Sequence, residues 1–218
     1  MIDASVIISY INSKDTLPGL LTLLDNQDYP RDRFEVVLVN GDDYKPRASQ
    51  AKGQQIGLER SKGRIIFMID SDRFPPLDWI SSHMRYYPKY DLVAGKVQNH
   101  SIRNLHSLSF GNISMKREVF ESIPIRDIIS QQDFDFALRF IRCHRFKGVI
   151  DGTVVKEDDS AKWSWRHHYL SAQNIVLLTR KYRYFPGLSE ILRIRHPADI
   201  AGGVRGLFAK EIANNHER

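Results

Sequence analysis

One cysteine, Cys143, occurs among 218 residues. An internal disulfide and a cysteine-rich zinc site are therefore excluded, a reducing compartment is permitted, and Cys143 itself reads as a small apolar filler. Long apolar runs are missing too. None approaches the roughly 20 residues that span a bilayer, and the opening residues lack the basic, apolar and small-residue order of a secretion signal, so the expectation is a cytoplasmic protein. No Gly-x-Gly-x-x-Gly follows the first apolar run, where Ser9 to Ser13 stands instead, which disfavours a dinucleotide-binding dehydrogenase. A P-loop nucleotidase is disfavoured because Gly-x-x-x-x-Gly-Lys-Ser/Thr is absent. Internal repeats and low-complexity stretches are absent as well.

Hydrophobic residues at 42% and charged residues at 27% are ordinary for a water-soluble domain, and 218 residues are enough to bury a core without covalent staples. The net charge is +6, from 32 Lys and Arg against 26 Asp and Glu. Its distribution is uneven: residues 1–141 hold 18 of each sign, whereas residues 142–218 hold 14 basic and eight acidic side chains. The body is balanced, and only the tail, with Arg166, Arg180, Lys181, Arg183, Arg193, Arg195, Arg205 and Lys210, speaks for nucleic acid, which is not expected as a partner. A solvated helical surface explains that tail, and so does peripheral contact with the anionic inner face of a membrane.

The first hundred residues alternate strand and helix signals, the pattern of an α/β domain with a mostly parallel sheet. Ala4 to Ser9, Phe34 to Val39, Arg64 to Ile69 and Asp91 to Val97 are apolar, β-branched runs of strand length. Leu17, Leu20, Leu21 and Leu24 mark one helix face after Asn12, Ser13 and Asp15, which supply turn and N-cap chemistry, with Pro18 in the first turn. Further helices are expected near Ser49 to Arg60, Leu77 to Tyr86, Arg117 to Ser122, Asp133 to Cys143 and Trp163 to Tyr182. Leu105 to Met115 is a candidate for a fifth strand, and Gly148 to Val155 reads as another. The expected division is a core over 1–160 and a basic helical extension over 161–218.

Asp70 and Asp72 follow the strongly apolar third strand, so both carboxylates can project from the edge where open α/β sheets bind ligands. Two carboxylates one residue apart suit a hard divalent cation that keeps open positions for phosphate oxygens; two solvated turn residues are the plain alternative. An Asp-x-Asp phosphatase is disfavoured, because Phe74 stands where Thr or Val is usual and the motif normally follows the first strand.

Longer stretches carry a resemblance. Ser5-Val6-Ile7-Ile8-Ser9-Tyr10 with Asn12, Leu20 to Gln27 with Tyr29-Pro30, Phe34 to Val37, Gln55-Ile56-Gly57 with Lys62-Gly63, and Ile69-Asp70-Ser71-Asp72 before Pro76-Leu77-Asp78-Trp79 resemble, in this order, a family-2 glycosyltransferase of the GT-A fold. Gly111 to Phe120, Gln132-Asp133-Phe134-Asp135-Phe136 with Arg139, and Asn174 to Tyr182 continue the likeness to residue 182. The fold it implies is a three-layer α/β/α sandwich with a mostly parallel central sheet and a C-terminal helical tail.

The resemblance further implies an inverting, nucleotide-sugar-dependent enzyme of glycan, polysaccharide or glycolipid synthesis, with Mg²⁺ or Mn²⁺ held by Asp72 and Asp70. Ser9, Tyr10, Asn12, Asp42, Asp43, Gln55, Asp70 and Ser71 fall to the nucleotide sugar. Gly111, Asn112, Gln132 and Asp135 fall to the acceptor side. Asp133 matches the general base, with a helix-capping role as the alternative and Asp135 as the competitor. His168, beside His167, is a further candidate for the metal, against plain surface packing on a helix. Three departures from the family pattern stand out: Asn40-Gly41 in place of an acidic pair with a shortened linker after it, Gln132 in place of glutamate, and Lys156 or Glu157 in place of a histidine. A degenerate GT-A domain that binds a nucleotide sugar or a partner without turnover is the alternative reading.

Overall fold

The structure is a computed structural model, and it describes residues 2–11, 15–44, 49–98, 104–128, 130–158, 165–184 and 197–208. Asn12, the side chain of His167, Arg193, Arg195, Lys210 and residues 159–164, where the expected boundary between core and extension falls, lie outside what is described.

The strands are β1 (Ala4–Tyr10), β2 (Phe34–Asn40), β3 (Ile65–Met68), β4 (Arg73–Phe74), β5 (Leu92–Val97), β6 (Ile113–Lys116) and β7 (Gly148–Glu157). The helices are α1 (Leu17–Asp25), α2 (Gln50–Arg60), α3 (Trp79–Met84), α4 (Arg117–Ser122), α5 (Gln132–Cys143), α6 (Trp165–Lys181) and α7 (Pro197–Phe208). Among the described residues the strands build one seven-stranded sheet in the order β2-β1-β3-β6-β5-β7-β4. The β2-β1-β3 and β5-β7 pairings are parallel, while β6 runs antiparallel to both β3 and β5. The expected α/β class and layered sandwich are therefore present.

Alternation along the strands explains the three layers. From β1, Val6 and Ile8 face one cluster with Leu20 and Leu24 of α1 and Trp79 and Ile80 of α3. Ile7 faces the other, with Ala51 of α2, Val119 and Phe120 of α4, and Phe136 and Phe140 of α5. β3 repeats the split, Phe67 to the first side and Ile66 and Met68 to the second. Strands covered on both faces need continuous apolar sequence, which is why these runs were visible as strands. Helix α2 lacks a strong apolar face and sits close instead: a Cβ at Gly53 would lie 1.9 Å from Ser9 Oγ, and one at Gly57 2.3 Å from Ile7 Cγ2. Ser49 caps α2 by accepting from the Lys52 N–H at 3.0 Å.

Three local expectations change. Thr16, not the preceding polar residues, is the N-cap of α1, and its side chain makes no capping bond. The candidate strand in Leu105 to Met115 is confined to β6, because Leu105–Ser107 forms a 3₁₀ turn. Cys143 is exposed at the end of α5 and fills no core space.

The C-terminal helices meet the body through Ile128 and Leu138 against Leu178 and Tyr182. Helices α6 and α7 run side by side in one direction, with Gly202 against the Tyr169 carbonyl and Gly206 against that of Gln173. None of the described helices is long and apolar enough to cross a membrane.

The sheet interior also holds a titratable group. His83 is fully buried; its Nδ1 shares a 2.8 Å hydrogen bond with Ser114 Oγ, and its Nε2 has no hydrogen-bond partner among the described residues. Burial pushes its pKa down to about 4. A histidine depressed in the folded state contributes stability above its unfolded pKa, about 6.5, and that stability is lost as pH falls towards the folded value. Going from pH 7 to pH 5 is expected to remove on the order of 1–2 kcal/mol through His83. Urea unfolding of the wild type and of His83→Gln at both pH values isolates this contribution, and equal pH slopes in the two proteins would disprove it.

Candidate functional site

The chain leaves β3 at Met68 and turns at Asp70-Ser71-Asp72 before β4 begins at Arg73. Strand β4 pairs antiparallel with β7, and the register sets Arg73 opposite Glu157. Arg73 Nη1 lies 2.7 Å from Glu157 Oε2, and Arg73 Nε lies 3.6 Å from both Asp70 Oδ2 and Asp72 Oδ1. One guanidinium, its side chain only 10% exposed, thus stands among three carboxylates.

A buried asparagine sets the wall beside Asp70. Asn112 Oδ1 accepts from Trp79 Nε1 at 2.8 Å, and its Nδ2 donates to the Lys96 and Thr153 carbonyls at 2.8 and 3.1 Å. This ties α3, β5 and β7 together and places the neighbouring Gly111 against the acidic turn. A Cβ at Gly111 would come within 2.7 Å of Asp70 Oδ2, so only glycine fits without displacing the carboxylate.

Helix α5 brings the third aspartate. Ser130 and Gln131, with φ of 61° and 66°, both adopt the left-handed conformation just before it, an arrangement that costs non-glycine residues on the order of 1 kcal/mol each and clusters at functional sites. Gln131 is the N-cap residue, so Asp133 lies inside the first turn and does not occupy the capping position. Its Oδ1 accepts from the Phe134 N–H at 2.8 Å. Gln132 Nε2 donates to Gln50 Oε1 at 2.8 Å, and Gln50 Nε2 in turn donates to Asp70 Oδ1. A chain of amides therefore links α5, α2 and the end of β3.

Electrostatics follow from this crowding. Burial, opposed by Arg73 and reinforced by Asp72 and Asp133, raises the Asp70 carboxyl to about 7. Burial also raises Asp133, to about 6, against the pull of the Phe134 N–H. Asp72 is raised for the same first reason, with Arg73 opposing. Anionic groups forced together in a partly dry site would be relieved by a cation. Asp72 Oδ1 is buried and accepts no hydrogen bond from the described residues. Two hard oxygen donors of this kind fit Mg²⁺ or Mn²⁺. Among the described residues, no group of three or more His, Cys, Asp or Glu side chains is placed to hold a metal ion. Asp70 and Asp72 would therefore share such an ion with oxygens from a substrate or water.

The other sequence candidates are distributed as follows. Ser9 and Tyr10 end β1, and Ser9 Oγ lies with the Tyr44 hydroxyl over Gly53. Asp42 and Asp43 are exposed in the short 3₁₀ turn after β2, where the Asp42 N–H donates to Asn40 Oδ1 at 3.0 Å. Ser71 lies in the acidic turn itself. Gln55 points elsewhere, donating to the Ile125 carbonyl at 2.7 Å. His168 pairs with Asp199 of α7 at 3.1 Å. Asp135 is fully buried: Arg139 Nε donates to it at 2.8 Å, Arg126 Nη1 at 3.2 Å and the Tyr182 hydroxyl at 3.0 Å. Asp133 and Asp135, two residues apart on one helix, thus have different surroundings.

Gln50 and Arg73 were not among the sequence candidates. Each is a single polar residue at the start of an element, with no spacing pattern to flag it. Only the β4-β7 register and the approach of α2 to β3 reveal them.

No family model matches the chain, and no curated protein matches it. Solved structures do. The mannosyltransferase PcManGT from Pyrobaculum calidifontis, in complex with GDP-Man and Mn²⁺, is similar with a TM-score of 0.68 at 17% identity, over 94% of this chain and 73% of that one. S. aureus TarS 1–349 in complex with UDP-GlcNAc gives 0.62 at 15% identity, over 94% of this chain and 80% of that one. The same TarS fragment in complex with UDP gives 0.56 at 15% identity, over 81% of this chain and 65% of that one. The chain spans 44% of the longer S. aureus TarS chain. At these identities the likeness establishes the fold, a GT-A-like α/β/α architecture.

Proposed function

We propose that this protein is a glycosyltransferase that moves a sugar from a nucleotide-diphosphate sugar to an acceptor hydroxyl by metal-assisted, inverting displacement. The observation that carries the reading is the convergence of Asp70, Asp72 and Asp133 at one sheet edge, with Gly111 close against Asp70, in a fold shared with nucleotide-sugar enzymes.

Asp70 and Asp72 would hold the divalent cation, and Ser9, Tyr10, Asn12, Asp42, Asp43 and Ser71 would receive the nucleotide sugar, with its nucleoside at Ser9 and the Asp42-Asp43 turn. When bound, the cation neutralises the charge that develops on the departing diphosphate. Gln132 and the Gly111-Asn112 turn shape the acceptor side. Asp133 accepts the acceptor's hydroxyl proton as its oxygen bonds to the anomeric carbon and the bond from that carbon to the diphosphate breaks on the opposite face. A carboxylate raised to about 6 is still mostly ionised at pH 7 and is a stronger base than an ordinary aspartate. The acceptor is a glycan, a lipid-linked sugar or a small molecule. Exposed Trp165, Ile200 and Val204, near exposed Arg166, Arg180 and Arg205, suit peripheral contact with the inner face of an anionic membrane.

Thermal unfolding with UDP, GDP and dTDP, with and without Mn²⁺, tests the reading, since a ligand that binds only the folded chain raises its stability. One diphosphate is expected to raise Tm by several degrees, more so with Mn²⁺. Stabilisation by none of them would overturn the proposal. Binding with no transfer or hydrolysis of any donor sugar would instead support the non-catalytic domain.

A further inference from the structure

Arg73 stands where a bound cation would have to be accommodated. Its Nε lies 3.6 Å from Asp70 Oδ2 and 3.6 Å from Asp72 Oδ1, the two carboxylates that fit a divalent ion. The residue is 8% exposed, so solvent screens it little. Glu157, across the β4-β7 pair, holds the far end of the guanidinium at 2.7 Å and keeps it in the site. Gly111 closes the side: a Cβ there would lie 3.2 Å from Arg73 Nε. Among the described residues neither Nε nor Nη1 has a hydrogen bond of good geometry, although both lie near carboxylates. Arg73 is thus a partly satisfied donor, held by charge.

We propose that Arg73 is a tethered counter-ion that makes divalent-cation binding at Asp70 and Asp72 wait for the donor's diphosphate. This rests on the nucleotide-sugar reading above. Without the donor, the guanidinium already neutralises part of the acidic turn, and a divalent ion entering beside it meets a fixed positive charge a few ångströms away. A diphosphate supplies the missing acceptors: its oxygens take the unmet Arg73 donors and complete the cation's shell, so the two positive groups come to share an anion. Each ligand then strengthens the other, and linkage requires the coupling to be the same in both directions. The internal cation also means that the diphosphate does not face the carboxylates bare.

The test is Mn²⁺ binding, read from the free-ion EPR signal, on wild type, Arg73→Gln and Arg73→Lys, each with and without saturating UDP or GDP. Wild type is expected to bind Mn²⁺ at least tenfold more tightly with the nucleotide than without it. Arg73→Gln is expected to bind Mn²⁺ alone at least tenfold more tightly than wild type, with the nucleotide adding less. Arg73→Lys keeps the charge and is expected to stay near wild type, which separates charge from side-chain packing. Equal Mn²⁺ affinity with and without nucleotide in the wild type overturns the coupling even if the variants fail to fold, and leaves the nucleotide-sugar reading standing. An unchanged Mn²⁺ affinity in folded Arg73→Gln overturns it as well. Failure of wild type to bind UDP, GDP and dTDP alike, with or without Mn²⁺, removes the nucleotide-sugar reading and the coupling together.

Discussion

Asp133→Asn is expected to lower the rate of sugar transfer by about 10²–10⁴-fold, the usual contribution of a positioned general base. That corresponds to roughly 3–5 kcal/mol of barrier. Donor binding is expected to survive, because asparagine keeps the shape of the side chain and Asp133 does not belong to the proposed metal pair. The loss therefore falls on kcat, with KM for the donor little changed. The wild-type pH profile gives an independent check. The base works ionised, and its pKa is raised to about 6. Transfer is then expected to be full above that value and to fall as pH drops through it, with the fall absent from the residual activity of the variant. A folded Asp133→Asn protein with wild-type kcat would remove Asp133 from the chemistry.

Asp135→Ala is expected to act on stability instead, lowering it by about 3–5 kcal/mol, the range found when one member of a buried ion pair is deleted. Asp135 is 0% exposed and is the shared acceptor of Arg126, Arg139 and Tyr182. Its removal leaves Arg139, with a side chain only 14% exposed, near no other anion among the described residues, and breaks one of the polar ties between α5 and the end of the α6 segment, that to Tyr182. For a chain of this length the shift in Tm is on the order of 10 °C. Thermal or urea unfolding measures it. Unchanged stability together with abolished transfer would reverse the assignments and make Asp135 the base.

Those two aspartates show where reading the chain alone reaches its limit. The run Gln132-Asp133-Phe134-Asp135 offers two carboxylates, Asp133 by its match to the base and Asp135 as its competitor. Helical geometry turns them to different sides, and only the tertiary partners distinguish them. Asp135 meets two guanidinium groups and a phenol, while Asp133 lies near Asp70. The proposed metal pair, Asp70 and Asp72, was easier to see because its placement is local: two aspartates at the end of a strongly apolar strand must lie at a sheet edge. Gln55 and Gln50 illustrate the opposite case. Both are on α2, but the helix rotation on β1, set by the close approach at Gly53 and Gly57, sends Gln50 to Asp70 and Gln55 to the Ile125 carbonyl.

Sequence alone determined the α/β class, since strands buried on both faces must be continuously apolar, and amphipathic helices between them must show their period. It also located the acidic turn and the concentration of positive charge after residue 141. The antiparallel insertion of β6, the two-residue β4 and its register against β7 were decided only by the folded chain. These depend on pairings between segments far apart in sequence, which no local pattern encodes. The Arg73 guanidinium among Asp70, Asp72 and Glu157 is a product of that register, and so is the proposed coupling between cation and diphosphate.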